Sequence, residues 1–401
     1  MSGWTTVGVA VLVLGVSLGS APIVFIGAVI LAIRVIAENW PRRVLDRLTY
    51  EREVSPRHTV VGDEVDLKLS LWNQSRLPIA WASSADVLSP ALKTRLDETE
   101  VEISGPLRPF ERVTRRVRIK PTKRGVHEIG PVRVRVAEHF GTHAPYIDTE
   151  LEPTFVIARP LMAPVVGRTD AASPLAQVRA RRSLFTDPTL FAGVRPYAPG
   201  DPLRTIHWRA SGRQGSLQSK RFEPALSRQQ VIVLDVQTVE GPYWVLNYDD
   251  ELFEELCVGA LSLARDLISH DAACGFAAAG FSRTTQRFVF LPPRADRAQI
   301  ERIGDALARL GPESSAPLGQ LLSWLPQRVA AGTALVVLTG RGPTEAALVI
   351  KRLRESGFPV QLVFFRGGAE NVRDTRRLGA SAAMASVEMA GRVPAAIVID
   401  G

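Results

Sequence analysis

Val231-Ile232-Val233-Leu234-Asp235-Val236 is a continuous apolar run interrupted only by Asp235. A short apolar run without polar alternation is expected of a strand buried on both faces, as in a parallel sheet. Two further runs read the same way, Leu335-Val-Val-Leu-Thr339 and Val360-Gln-Leu-Val-Phe-Phe365, and Ala395–Ile399 is a candidate last strand. Between them the period changes to that of a helix. Leu252, Leu256, Leu263 and Leu267 fall on one stripe of the segment from Asp249 to His270, and Asp249 and Asp250 suit its N-terminus. Cys274–Ala279 and Arg287–Leu291 read as strands joined by a tight turn. Asp296, with Gln299 three residues later, opens another helix that Gly311 closes. Leu318–Val329 and the segment from Thr344 to Gly357 read as helices. This alternation predicts a doubly wound α/β sheet over residues 231–401, with helices on both faces.

The N-terminal half follows other periods. Val65-Asp-Leu-Lys-Leu-Ser-Leu71 alternates apolar with polar residues, and Val113–Ile119 and Val132–Val136 do much the same. Turn residues punctuate them at Val61-Gly62-Asp63, Trp72-Asn73-Gln74-Ser75 and Lys123-Arg124-Gly125. Short strands spaced this way predict an all-β, sandwich-like domain over residues 48–158. His58, His127, His139 and His143 show no metal-ligand spacing. Residues 159–190 are rich in Pro, Ala and Arg with weak periodicity, and read as a basic linker holding one short helical turn.

Residues 1–40 carry the strongest single signal. No charged residue occurs between Gly3 and Ile33. That length exceeds one membrane crossing of roughly 20 residues, and Gly19-Ser20-Ala21-Pro22 breaks it near the middle. The reading is a transmembrane helical hairpin, Trp4–Leu18 and Ile23–Ala37. A single long tilted helix is the alternative, and a cleaved signal peptide lacks its basic n-region. Arg34, Arg42, Arg43 and Arg47 cluster after the second helix, which predicts a multi-pass protein of the cell membrane with its soluble domains in the cytoplasm.

The net charge of +8 is unevenly placed. Arg159 to Arg228 holds twelve Lys/Arg against four Asp/Glu, so the rest of the chain is close to neutral. Such a belt could face anionic lipid, nucleic acid or an acidic partner. Nucleic acid is the weakest of these, because no aromatics interleave with the arginines for stacking. Cys257 and Cys274 are too few for a disulfide framework or a zinc pattern.

The most distinctive stretch lies at residues 191–230: Gly193-Val-Arg-Pro-Tyr-Ala-Pro-Gly-Asp-Pro-Leu-Arg-Thr-Ile-His-Trp-Arg-Ala-Ser211, continuing through Leu217-Gln-Ser-Lys-Arg-Phe-Glu223. It resembles the signature of the bacterial domain of unknown function 58 family. Arg195, Tyr197, Pro199, Gly200, Asp201, Arg204, Ile206, Trp208 and Glu223 match that pattern, while Pro202 replaces its usual second acid. The likeness takes in the two-helix anchor, the β-domain with Arg124-Gly125 and Gly130-Pro131, and the C-terminal domain. It implies a von Willebrand factor A-like domain, whose first strand ends in Asp-x-Ser-x-Ser around a divalent ion. Here Asp235-Val-Gln-Thr-Val239 keeps the acid and loses both hydroxyls, and Arg341 stands where another carboxylate is expected. Asp235 is therefore read as a degenerate metal-site position, with no metal and no cofactor expected.

Members of that family commonly occur beside MoxR-type AAA ATPases and membrane transglutaminase-like proteins, so the resemblance implies an ATPase partner. Physically, Pro199-Gly200-Asp201-Pro202 is a rigid turn, and Asp201 can pair with Arg204 or Arg209. Two readings stay open: a clamp that holds the segment to the sheet edge, or a docking epitope presenting Arg195, Arg204, Arg209, Lys220 and Arg221 beside His207 and Trp208. Asp201 with His207 lacks a nucleophile or a phosphate loop. The expectation is a membrane-anchored scaffold and not an enzyme; the alternative is a divalent-metal-dependent hydrolase using Asp235 or Asp201.

Overall fold

In the computed structural model the chain divides into two units, Met1–Arg159 and Pro160–Gly401. The structure describes residues 3–137, 151–168, 186–198, 203–224, 229–282, 287–342, 344–366, 373, 381–390 and 393–400.

The first unit opens with two helices, α1 (Gly3–Ser17) and α2 (Ala21–Leu45). Pro22 does not delay α2, because the first helical turn has no N–H to lose there. The helices pack against each other through glycine: a Cβ on Gly15 would lie 2.6 Å from Val24 N, and one on Gly27 would lie 2.7 Å from Leu12 N. Val9, Val13, Val16, Phe25 and Ile36 are exposed. The expected transmembrane hairpin is corrected at this point. Among the described residues no helix is long and apolar enough to cross a membrane. With 15 residues at about 1.5 Å each, α1 falls short of a hydrocarbon core of about 30 Å, and α2 acquires Arg34, Glu38, Arg42 and Arg43 along its length.

Nine strands follow: β1 (Leu48–Ser55), β2 (His58–Val60), β3 (Val65–Asn73), β4 (Ile79–Leu88), β5 (Leu92–Thr94), β6 (Glu100–Leu107), β7 (Arg112–Pro121), β8 (Gly125–Ala137) and β9 (Thr154–Arg159). They form one sheet in the order β1-β3-β7-β5 and another in the order β2-β9-β8-β4-β6. Alternate residues of both sheets, such as Leu67, Leu69 and Ile119 from one and Val101, Ile129 and Val134 from the other, share one buried core. A polar clamp crosses it. Arg52 on β1 contacts Asp86 on β4 (2.7 Å) and donates to Ile129 O (2.7 Å), Glu152 O (2.6 Å) and Thr154 Oγ1 (3.1 Å). The Tyr50 hydroxyl donates to the same carboxylate. Burial pushes both the Asp86 carboxyl and the Tyr50 phenol upward.

The second unit contains β10 (Val165–Arg168), β11 (Thr186–Pro196), α3 (Trp208–Gln214), β12 (Gln218–Pro224), β13 (Gln229–Leu234), α4 (Asp250–Ser269), β14 (Ala273–Ala278), β15 (Gly280–Ser282), β16 (Val289–Arg294), α5 (Ala298–Arg309), β17 (Leu310–Ser314), α6 (Leu318–Trp324), β18 (Ala334–Thr339), α7 (Ala347–Glu355), β19 (Val360–Phe365), β20 (Ser381–Ala390) and β21 (Val393–Asp400). Eight strands make one sheet in the order β10-β21-β20-β19-β18-β13-β14-β16. The three apolar runs lie at its centre as β13, β18 and β19, parallel neighbours in register. Successive residues point to opposite faces. Ile232, Leu234, Val336 and Leu338 pack with α4 and α5, whereas Val231, Val233, Leu335 and Val337 pack with α6 and α7.

The doubly wound, von Willebrand factor A-like domain expected over residues 231–401 is not what forms. Strands dominate the chain and the sheet is mixed. Its outer pairs β14–β16 and β20–β21 are antiparallel. Its far edge strand, β10, arises within the segment read as a linker and pairs in parallel with β21. The helix expected over Leu318–Val329 ends as α6 at Trp324 and tightens into a 3-10 turn, Leu325–Gln327, that contains Pro326. Gly311 does not merely follow a helix; it lies within β17, which pairs with β15.

Candidate functional site

The chain passes from β13 to β14 on one side and later returns to β18 on the other. In parallel sheets ligands bind beyond the carboxyl ends of strands where the order reverses in this way. Asp235 sits there, one residue past β13 and buried. Its Oδ2 accepts from the Thr339 hydroxyl (2.9 Å) and from Arg341 Nε (3.1 Å), and its Oδ1 from Gln237 N–H (3.3 Å). Arg341 is itself buried, and its Nη1 lies 3.7 Å from Glu345. Burial pushes the Asp235 carboxyl above its ordinary value, opposed by Arg341 and the Thr339 hydroxyl. We read the pair as ionised, because a buried guanidinium does not give up its proton and needs the counter-charge.

These residues do not fit a divalent ion. The donor set is one carboxylate and one hydroxyl, and a fixed cation already lies against the carboxylate. Hard cations need several oxygen ligands and no adjacent positive charge. Among the described residues no group of three or more His, Cys, Asp or Glu side chains could hold a metal. The remaining polar side chains of this end brace the loop after β13. Gln237 Nε2 donates to Val239 O (3.1 Å) and Gly241 O (2.6 Å), and Asp249 N–H donates to Thr238 Oγ1 (2.8 Å). Asp249 in turn caps α4 by accepting from Leu252 N–H (3.0 Å).

The signature residues form a separate construction. β11 and β12 pair as an antiparallel ribbon, so Arg195 lies opposite Ser219 and Val194 opposite Lys220. Arg204 lies in a 3-10 turn, Leu203–Thr205, and Arg221 on β12. Ile206 is buried, and His207 caps α3, its Nδ1 accepting from Ala210 N–H (3.1 Å). Ser211 Oγ accepts from Gln218 N–H (2.8 Å), tying α3 to the ribbon, and Tyr197 N–H donates to Leu217 O (2.9 Å). His207 and Ser211 thus serve local geometry. Trp208 and Leu203 face solvent at 70 % and 71 % exposure, with Arg195, Arg209 and Arg213 exposed and Lys220 half-buried. Pro199, Gly200 and Asp201 lie outside the described residues.

Sequence reasoning missed one surface. The loop after β13 presents Trp244, Val245, Leu246 and Tyr248 to solvent, and Tyr243 and Trp244 border a groove of about 920 Å³. Its other walls come from Arg287, Phe288, Gln320 and Trp324. A local cluster of Tyr, Trp, Val, Leu and Tyr between Gly241 and Asp249 was the available signal.

Similarity to known proteins is limited. The chain is 22 % identical over 236 residues to "Uncharacterized protein YeaD" of Bacillus subtilis, covering 57 % of this chain and 55 % of that protein. It therefore spans only about half the length of that curated relative. Among solved structures, the CARDB domain of the Pyrococcus furiosus PF1109 protein, described in complex with di-metal ions, is 14 % identical with a TM-score of 0.21, over 28 % of this chain and 86 % of that one. Salmonella alpha-2-macroglobulin is 19 % identical with a TM-score of 0.23, over 30 % of this chain and 7 % of that one. No functional reading follows from either. Residues 193–340, which take in most of the signature ribbon and Asp235 and stop just short of Arg341, match the family described as "Protein of unknown function DUF58".

Proposed function

We propose that this protein is a membrane-associated scaffold or interaction module, not an enzyme, acting at the cytoplasmic face with a MoxR-type AAA ATPase in the assembly or maturation of envelope or other complexes. The observation that carries the reading is Trp208, 70 % exposed on a helix whose own hydrogen bonds fix it, with Arg209 and Arg213 exposed beside it. An exposed aromatic on a short helix that also exposes two arginines has the composition of a docking hot spot for an acidic surface. The apolar outer residues of α1 and α2 support contact with lipid. The ATPase comes from the family resemblance of the signature segment. At Asp235 the hydrolase reading loses support, because each carboxylate oxygen is already engaged; its other candidate, Asp201, lies outside the described residues.

The test is capture of a purified MoxR-type ATPase from the same cell by the full chain, at low and high salt. Trp208→Ala and Arg209→Glu/Arg213→Glu should weaken capture and leave stability within about 0.5 kcal/mol. Wild-type capture should fall as salt rises. Capture that ignores salt and both variants would refute this docking surface.

A further inference from the structure

The loop Glu240-Gly-Pro-Tyr-Trp-Val-Leu-Asn-Tyr248 exposes Trp244 at 70 % and Leu246 at 80 %, yet it is braced. Gln237 holds the Gly241 carbonyl and that of Val239 just before the loop, and Val245 N–H donates to Pro242 O (3.0 Å). Tyr243 stands edge-on to Trp244 with centroids 5.1 Å apart, and Phe288 and Trp324 lie 5.3 Å apart in the opposite wall. Two guanidinium groups border the aromatics, Arg287 at 5.6 Å from the Phe288 ring and Arg328 at 5.0 Å from the Trp324 ring. The one carboxylate lining the groove, among the described residues, is Glu345, and it faces Arg341. The groove is therefore aromatic, with Arg287 in its lining, where Nη2 also donates to Gln320 Oε1, and Arg328 just outside it against Trp324. It opens at the carboxyl ends of β13 and β18, where the strand order reverses.

We propose that this groove docks an extended, proline-rich, acidic segment of a partner protein. Aromatic-lined grooves accept polyproline II segments because proline rings stack on ring faces and the segment is ordered before it binds. Arg287 and Arg328 select carboxylates on that segment, each guanidinium being held in place over a ring. A single-stranded nucleic acid also stacks on aromatics, but it needs a continuous cationic track. Here the loop continues as Val245 and Leu246, which suit a peptide. The surface uses none of the signature residues, so it stands or falls independently of the docking reading above.

The test uses the full chain and four labelled probes: Pro-Pro-Glu repeats, Pro-Pro-Lys repeats, Ala-Ala-Glu repeats and oligothymidine. Fluorescence anisotropy should show binding of the Pro-Pro-Glu probe, accompanied by a change in tryptophan emission. Trp244→Ala should weaken it about ten-fold or more, the effect of truncating an aromatic anchor. Trp244 is exposed, so its removal should leave the melting temperature unchanged. Arg287→Glu/Arg328→Glu should abolish binding of the Pro-Pro-Glu probe and admit Pro-Pro-Lys. Absence of Pro-Pro-Glu binding up to about 1 mM overturns the proposal. So does equal binding of Ala-Ala-Glu, tighter binding of oligothymidine, or full affinity in Trp244→Ala.

Discussion

Arg341→Ala would leave Asp235 as a buried charge without its counter-ion. The two side chains are 8 % and 4 % exposed, so water cannot replace the lost partner without opening the site. Breaking such a pair costs about 3–5 kcal/mol. The Thr339 hydroxyl and Gln237 N–H still donate to the carboxylate, which places the expected loss near the lower end, about 3 kcal/mol. For a unit of this size that is a fall in melting temperature of about 10 °C. Amide exchange gives a local reading. Asp235 N–H bonds Leu338 O (2.9 Å), so core amides of β13 and β18 should exchange about a hundred-fold faster. The deficit should depend on pH in a definite direction. Burial holds the Asp235 carboxyl above its ordinary value, and Arg341 pulls it back; without Arg341 it sits higher still. A carboxyl raised in the folded state carries no penalty below its unfolded value of about 3.9; the penalty grows as pH rises above that value and is complete only above the raised folded value. The loss should be larger at about pH 8 than at lower pH and shrink as pH falls toward about 4. Asp235→Asn with Arg341→Met should recover most of it, since both charges leave together. A loss below about 1 kcal/mol, or one of equal size at both pH values, would refute the compensated buried pair. Rescue of Arg341→Ala by magnesium would show instead that the guanidinium blocks a cation site.

In the first unit, Asp86→Ala should cost about 3–5 kcal/mol, because Arg52 is 5 % exposed and would lose the only carboxylate among its described partners; thermal melts that move by less than about 2 °C would count against a clamp between the sheets. Burial pushes the Cys274 thiol up to about 12, and Cys257 is buried as well, so a thiol reagent at about pH 8 should label neither in the folded chain and both in denaturant. Rapid labelling without denaturant would show that this part of the core opens.

The central strands were legible because being buried on both faces leaves only one kind of residue available. Val231–Leu234, Leu335–Leu338 and Val360–Phe365 hold almost no polar side chains, and the structure puts them side by side. The edges were not legible. β10 is four residues long, lies in a Pro- and Arg-rich segment, and pairs with the C-terminal strand. Local periodicity carries no trace of a partner more than two hundred residues away. β20 was hidden by its composition, Ser-Ala-Ala-Met-Ala-Ser, whose short side chains give little alternation. The doubly wound expectation extended the central pattern to outer strands whose pairs β14–β16 and β20–β21 are antiparallel. The N-terminal expectation failed for a related reason: a long uncharged run shows that charge is absent, while crossing requires enough unbroken apolar length in each helix.

The site divides in the same way. Arg341 was conspicuous in the sequence as a cation where a carboxylate was expected, and the structure gives that substitution a consequence. A divalent ion has to be recruited from solution and stripped of water, whereas a guanidinium four bonds from its own backbone is always present at the carboxylate. The loops after β13 and β18 are then joined by a covalent part of the chain, through Arg341 to Asp235 on one side and toward Glu345 on the other. That joint meets the groove at Glu345, which lines it and lies 3.7 Å from Arg341; the groove's walls come from residues 241–244, 287–288, 317–324 and 345–349. No reading along the chain assembles four segments so far apart. The groove and the pair can nevertheless be connected by experiment. If the Asp235–Arg341 joint sets the spacing of those loops, Arg341→Ala should weaken binding of Pro-Pro-Glu repeats even at temperatures well below its melting point. The conservative Arg341→Lys, which keeps the charge and loses the planar fork, should fall between wild type and alanine in both affinity and stability. Unchanged affinity in a folded Arg341→Ala protein would separate the two features, leaving the pair as a stability element alone.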